Sequence, residues 1–192
     1  MKQLILASTS KYRQSLLQKI NIPFEAIAPE VDEEQFKKLN LTPLELATRL
    51  AKEKSQAVAR KFPQAVVIGS DQVACVDEMI LDKPGHHENA LIQLKMMNNR
   101  EHKLYTAVCL CYENKTVEFI DTTTLLMKNC TDNQLDRYLK TDKPYDCAGS
   151  YKIESLGITL FERIDCQDFN AITGLPLIQL CHYLTKMGYE LP

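Results

Sequence analysis

The sequence lacks both of the common nucleotide-holding turns. It has no G-x-x-x-x-G-K-[ST] run and no G-x-G-x-x-G, so neither a P-loop nucleotidase nor a dinucleotide enzyme is supported. G-x-S-x-G is missing too, which removes the usual esterase nucleophile. The four histidines (His86, His87, His102 and His182) show no H-x-x-x-H spacing, and no zinc site is expected from them. The seven cysteines include no C-x-x-C pair and fall mostly in apolar runs, the usage expected of reduced core thiols in a cytoplasmic protein. There is no basic surplus: 23 Lys/Arg against 25 Asp/Glu, mixed along the chain, give a net charge of −2. That balance argues against a nucleic-acid scaffold, which carries a basic stripe. No apolar window approaches a membrane span, and the short apolar run after Lys2 is far too short for a signal peptide. A cytoplasmic protein with neither membrane nor nucleic acid as partner is the expectation.

What the chain does have is an alternation of strand-like and helix-like segments over 192 residues, enough for one α/β body with two lobes. The pattern predicts a short apolar strand that opens at Leu4 and runs into a hydroxyl-rich turn, a helix from Lys11 to about Ile20, and an extended stretch from Phe24 to Ala28. Thr42, Pro43 and Glu45 read as N-cap, first helical residue and capping box of a helix reaching about Phe62. Ala65 to Ile68 reads as a short strand leaving through a Gly69-Ser70-Asp71 turn, with Val73 to Val76 extended beyond it. Further helices are expected over Glu88–Met97, from Thr131 to Lys140, and over Leu175–Met187. Strands are expected over Lys103–Tyr112, Thr116–Met127 and Ile158–Arg163, the first two joined at Glu113-Asn114-Lys115. Consecutive central strands with helices before and after favour a mixed sheet over an all-parallel one.

The segment from Leu4 to Arg13 is the most informative. A strand that runs through Ser8, Thr9 and Ser10 into a helix N-terminus gathers backbone N–H groups, hydroxyls and the positive end of a dipole, and Arg13 adds a two-pronged donor. These are phosphate-binding chemistries, although Ser10 as a simple helix cap explains part of the pattern. Asp71, at the predicted end of its strand, is a candidate general base or metal ligand; a turn aspartate bonded to its own backbone is the plainer alternative. Lys52, Lys54 and Lys83 are candidate phosphate partners, with a solvated face as the alternative for the helical pair. Within the acidic run Glu30–Glu34, Asp32 is the better candidate oxygen ligand for magnesium, and a solvated loop suits Glu33 and Glu34.

Taken in order, Ala7-Ser8-Thr9-Ser10-x-x-Arg13, Glu30-Val31-Asp32-Glu33, Leu50-Ala51-Lys52-x-Lys54, Ile68-Gly69-Ser70-Asp71, Lys83-Pro84, Ala148-Gly149-Ser150-Tyr151 and Gly174-Leu175-Pro176 resemble the Maf family of nucleoside triphosphate pyrophosphatases. The resemblance runs from Leu4 to about Leu184. It implies a mixed α/β fold like that of inosine triphosphatases, two lobes around a deep cleft in one Maf-like domain over 1–192, and a divalent metal, magnesium or manganese. It also implies hydrolysis of a nucleoside triphosphate to monophosphate and pyrophosphate, with Asp71 as proton acceptor.

Three positions point to a branch. Family members that act on dTTP and UTP carry arginine, threonine and glutamine where this chain has Tyr12, Gln72 and Glu154, and an aromatic, Gln and Glu there resemble the 7-methyl-GTP branch. Tryptophan is the familiar aromatic, so Tyr12 is a smaller stacking face. The chemistry is consistent: N7 methylation makes guanine cationic, a cation over an aromatic ring gains about 0.5–2 kcal/mol, and a carboxylate offers two acceptors to the paired donors of guanine. The expected reaction is 7-methyl-GTP to 7-methyl-GMP and pyrophosphate, removing modified nucleotides. The rivals are a dTTP/UTP pyrophosphatase and a nucleotide-sensing regulator of septum formation. The sequence leaves open whether the protein is a monomer or a homodimer.

Overall fold

The structure, a computed structural model, describes residues 2–113 and 115–192. Asn114, and with it the centre of the expected Glu113-Asn114-Lys115 connection, lies outside them. The chain sorts into two compact units. The first comprises residues 1–72, 106–121 and 168–192, and the second residues 73–105 and 122–167.

Seven strands form the sheet: β1 (Leu4–Leu6), β2 (Glu25–Ala26), β3 (Val66–Val76), β4 (Met79–Leu81), β5 (Glu101–Tyr112), β6 (Lys115–Met127) and β7 (Phe161–Asp165). Their order is β2-β1-β3-β5-β6-β7, with β4 paired to β3. The sheet is mixed, as expected, since β1 pairs in parallel with β2 and β3 while β3/β4 and β6/β7 are antiparallel.

In the first unit, the period of two along the strands assigns each residue to a side. Leu4, Leu6, Val66, Ile68, Val108 and Leu110 form one core with α1 (Lys11–Gln18) and the chain end, through Leu16, Leu17, Leu180 and Leu184. The odd-numbered neighbours Gly69, Asp71 and Cys111 instead meet α3 (Pro43–Ala59), which buries Leu46, Leu50, Lys54 and Val58 at four-residue spacing. Thr42 closes the capping box on α3 with Glu45, as the sequence predicts. A short α2 (Glu33–Lys37), unforeseen in the acidic run, precedes it.

Two of the expected elements take a different form. Gly69-Ser70-Asp71 is no turn: β3 runs unbroken from Val66 to Val76. A Cβ at Gly69 would lie 2.2 Å from the Ala51 carbonyl oxygen and 2.5 Å from the Ser55 amide nitrogen, so the glycine serves the close approach of α3. The expected strand Ile158–Arg163 begins instead as a 3-10 helix, Leu156–Leu160, and becomes β7 only at Phe161.

In the second unit, α4 (His87–Met97) and α5 (Asp132–Asp142) are tied by Lys95–Asp132 at 2.7 Å and His87–Asp136 at 3.0 Å. His102, Tyr151 and Phe161 form a buried aromatic cluster, with His102 Nε2 3.0 Å from the Tyr151 hydroxyl. Burial holds His102 down at about 4 and hence neutral. The first unit closes with α6 (Phe169–Ile172) and α7 (Leu177–Lys186). Among the described residues no helix is long and apolar enough to cross a membrane.

Candidate active site

Asp71 and Lys54 lie at the centre of the first unit's polar chemistry. They are side by side because Gly69 admits the α3 backbone two residues before Asp71 on the same face of β3. Lys54 Nζ donates to Asp71 Oδ1 at 2.6 Å and contacts Glu33 Oε1 at 2.8 Å. Lys54 and Asp71 are only 6% and 7% exposed, so the pair is buried rather than a surface salt bridge. Burial pushes the Asp71 carboxyl above its ordinary value despite the opposing pull of Lys54 and Arg13. Burial lowers Arg13 in turn, while Asp71 and Glu33 hold its charge.

The opposite face of β3 carries Ser70 and Gln72, both turned toward the 168–174 segment. Ser70 Oγ donates to the Gly174 carbonyl oxygen at 3.0 Å, and Arg13 Nε donates to the same oxygen at 3.0 Å. Gly174 has φ 113°, a left-handed backbone at which a side chain would be strained and would crowd Arg13. Gln72 Nε2 lies 2.9 Å from Thr106 Oγ1 and donates to the carbonyls of Ala171 and Ile172 at 2.8 and 3.0 Å. Asp168 fixes the same segment, accepting from the Asn170 and Ile178 amides.

The hydroxyl turn is compact. Ser8 Oγ accepts from the Ser10 amide at 3.1 Å, and Ser10 Oγ caps α1 by accepting from the Arg13 amide at 3.4 Å. Asp32 serves as N-cap of α2 through the Glu34 amide, and Glu33, assigned to a solvated loop by its sequence, is the residue that reaches Lys54. Lys52 is half-exposed and pairs with Glu118 at 2.8 Å rather than with Asp71. Tyr12 lies half-buried on α1. Lys83 and Glu154 belong to the second unit, where both are exposed.

The donor set bears on a metal. Among the described residues no group of three or more His, Cys, Asp or Glu side chains is arranged to hold one. Asp71 with the acidic start of α2 offers one or two carboxylates, which suits magnesium or manganese when substrate phosphates and waters complete the shell.

The chain as a whole has similar sequences among known proteins. The family model "Maf-like protein" matches residues 3–187. A 7-methyl-GTP pyrophosphatase of Xanthomonas axonopodis pv. citri is 43% identical over 192 residues, covering 100% of both chains. Another so named, from Bdellovibrio bacteriovorus, is 48% identical over 179 residues, 93% of this chain and 94% of that one. Among solved structures, a HAM1 protein from Coxiella burnetii aligns with 97% of this chain and 100% of its own at 13% identity and a TM-score of 0.49. With the family match extending from β1 to the last residues of α7, the chain belongs to the Maf family.

Proposed function

We propose that this protein is a nucleoside triphosphate pyrophosphatase that hydrolyses 7-methyl-GTP to 7-methyl-GMP and pyrophosphate, clearing modified nucleotides from the cytoplasmic pool. The observation that carries the reading is the buried Asp71–Lys54 pair with Arg13 close enough to act on it, in a chain whose full-length relatives bear that activity in their names. Asp71 accepts a proton from a water molecule and orients it toward the α-phosphorus; the bond to the bridging oxygen breaks and pyrophosphate leaves. Arg13, Lys52, Lys54 and Lys83, with the Ser8 and Ser10 hydroxyls, hold the phosphates and offset the charge that develops on them. Arg13 is pre-aimed for this, because its Nε is already bonded to Gly174.

Asp71 and an acidic residue at the start of α2, Asp32 or Glu33, are the oxygen donors for a magnesium or manganese ion. When bound, that ion supplies charge neutralisation at the phosphates. Tyr12 offers its ring to the cationic base, Glu154 accepts from the paired donors of guanine, and Gln72 fixes the segment behind Arg13.

A screen of pyrophosphate release over 7-methyl-GTP, GTP, dTTP and UTP with magnesium tests the reading. The expected result is highest kcat/KM on 7-methyl-GTP. Preference for dTTP or UTP would place the chain with the other branch, and nucleotide binding without any turnover would favour a sensor over an enzyme.

A further inference from the structure

Residues 152–157, in the second unit, form a tight turn fastened on both sides of Glu154. The Ser155 amide donates to the Lys152 carbonyl at 3.2 Å, which closes a four-residue turn with Glu154 in third place. Tyr151 and Ile153 are buried, whereas Glu154 is exposed. A Cβ at Gly157 would lie 2.3 Å from the Lys152 carbonyl oxygen, so the chain folds back this closely only through a glycine. The fastenings run to α5. Before Glu154, the Lys152 amide donates to the Tyr138 hydroxyl at 3.0 Å, and the Lys152 ammonium donates to the carbonyls of Asp142 and Lys143 at 3.2 and 3.5 Å. After it, the Ser155 hydroxyl donates to Asp142 Oδ1 at 2.6 Å. We propose that Asp142, acting through Ser155, is a positioning residue for base recognition: it holds the turn that carries Glu154, so that preference for 7-methylguanine depends on a hydrogen bond that never touches the nucleotide. The proposal rests on the base-reading role given to Glu154.

The stability of α5 does not call for an aspartate here. Asp142 is the last residue of the helix, where the dipole is negative and a carboxylate is unfavourable. Its second oxygen, Oδ2, is buried with no hydrogen-bond partner among the described residues, which is a further cost to folding. The Lys152 ammonium offsets part of this by covering the carbonyls at the helix end. What the aspartate contributes is a strong acceptor. A separation of 2.6 Å is that of a charge-assisted bond from a hydroxyl to a carboxylate.

Reading a base by its paired donors makes this placement matter. Both oxygens of a carboxylate must meet the base edge together, so a shift of the backbone beneath Glu154 misplaces both contacts at once. Ser155 directly follows Glu154, and its amide and hydroxyl are held separately, by Lys152 and by Asp142. Without the hydroxyl bond the turn keeps only its amide fastening on that side, and the remaining ordering falls on nucleotide binding. The loss then appears in KM for a substrate whose base Glu154 reads. A substrate held by its phosphates alone does not feel it.

Ser155→Ala and Asp142→Ala in the full chain test the proposal. Without nucleotide, hydrogen exchange of the Ser155 amide, followed by NMR, should quicken severalfold in both variants. With magnesium, KM for 7-methyl-GTP should rise roughly threefold to tenfold, the scale of one lost hydrogen bond, while kcat is unchanged. The inhibition constant of inorganic tripolyphosphate, which has no base, should stay the same. Asp142→Asn keeps an acceptor oxygen for the Ser155 hydroxyl and should restore most of the KM. Adding Ser155→Ala to Glu154→Gln should cost no more than about twofold beyond Glu154→Gln alone, because both act on one contact. Unchanged amide exchange, full additivity in the double variant, or an equal loss for 7-methyl-GTP and tripolyphosphate overturns the proposal while leaving the role of Glu154 standing. Unaltered base selectivity in Glu154→Gln removes that role and the proposal with it, a result distinguishable from the others because the exchange measurement uses no nucleotide.

Discussion

Replacing Lys54 with methionine isolates the energetics of the Asp71 pair. The methionine keeps much of the stem that packs in the α3 stripe but removes the ammonium that meets Asp71 at 2.6 Å. Both partners are buried, so the remaining carboxylate loses its hydrogen-bonded counter-charge and keeps only the pull of Arg13; breaking one side of such a pair costs about 3–5 kcal/mol. For a domain of this size that corresponds to a fall in Tm of about 6–20 °C at pH 8. The loss depends on pH in a definite direction. Burial already raises the folded-state pKa of Asp71 above its unfolded value, so its folded carboxyl holds a proton over a range where the unfolded one does not. The contribution is therefore most favourable at low pH and is lost as pH rises through the folded pKa. Without Lys54 the folded pKa climbs further, and the destabilisation of Lys54→Met should be small near pH 4 and full at pH 8. Adding Asp71→Asn should recover more than half of the loss at pH 8, because no charge is then stranded. Denaturant unfolding of the metal-free, nucleotide-free protein at both pH values, for the single and double variants, measures all of this. Equal losses at the two pH values, or a double variant as unstable as Lys54→Met, would refute the argument.

Asp71→Asn alone should fold and bind nucleotide while kcat falls by roughly 10²-fold, as for loss of a positioned base; near-normal turnover in a pyrophosphate assay would sink that role. Activity should vanish in EDTA and return with magnesium or manganese, and full turnover in chelator would contradict the metal assignment. Glu154→Gln should reduce kcat/KM for 7-methyl-GTP by roughly tenfold or more while changing dTTP little, whereas Gln72→Thr, which frees the Ala171 and Ile172 carbonyls, should raise KM for every triphosphate; a reversed pattern would exchange the two roles.

The sequence was informative where local rules and burial agree. The α3 capping box and the mixed order of central strands follow from capping chemistry and from consecutive strand-like runs. Gly69-Ser70-Asp71 has turn composition, yet its glycine answers a tertiary demand, room for the α3 backbone, that no local pattern expresses. Lys54 reads as a phosphate candidate with a solvated face as the alternative, although the signal for its burial is present: it falls in register with Leu46, Leu50 and Val58 on the apolar stripe. Lys52 is off that stripe and ends at Glu118. Glu33 was obscured because the acidic run gave no hint of the short helix α2, which makes Asp32 a cap. The proposed contributions of Tyr12, Lys83 and Glu154 rest on family resemblance rather than on any contact that a local rule would reveal.

The shared acceptor at Gly174 has a thermodynamic consequence. An arginine free in solution carries about 2 kcal/mol of rotamer entropy, a toll normally levied when a ligand immobilises it. Here the Gly174 oxygen holds Nε, so part of that disorder is surrendered during folding, and in the proposed phosphate-binding role the fork would meet its anion already stiffened. The oxygen is itself held by Ser70 and by the backbone of a segment more than 150 residues downstream of Arg13. If Arg13 holds phosphate as proposed, triphosphate affinity is tunable from the far end of the chain, by altering how firmly the 168–174 segment is seated rather than by touching any group that meets a phosphate.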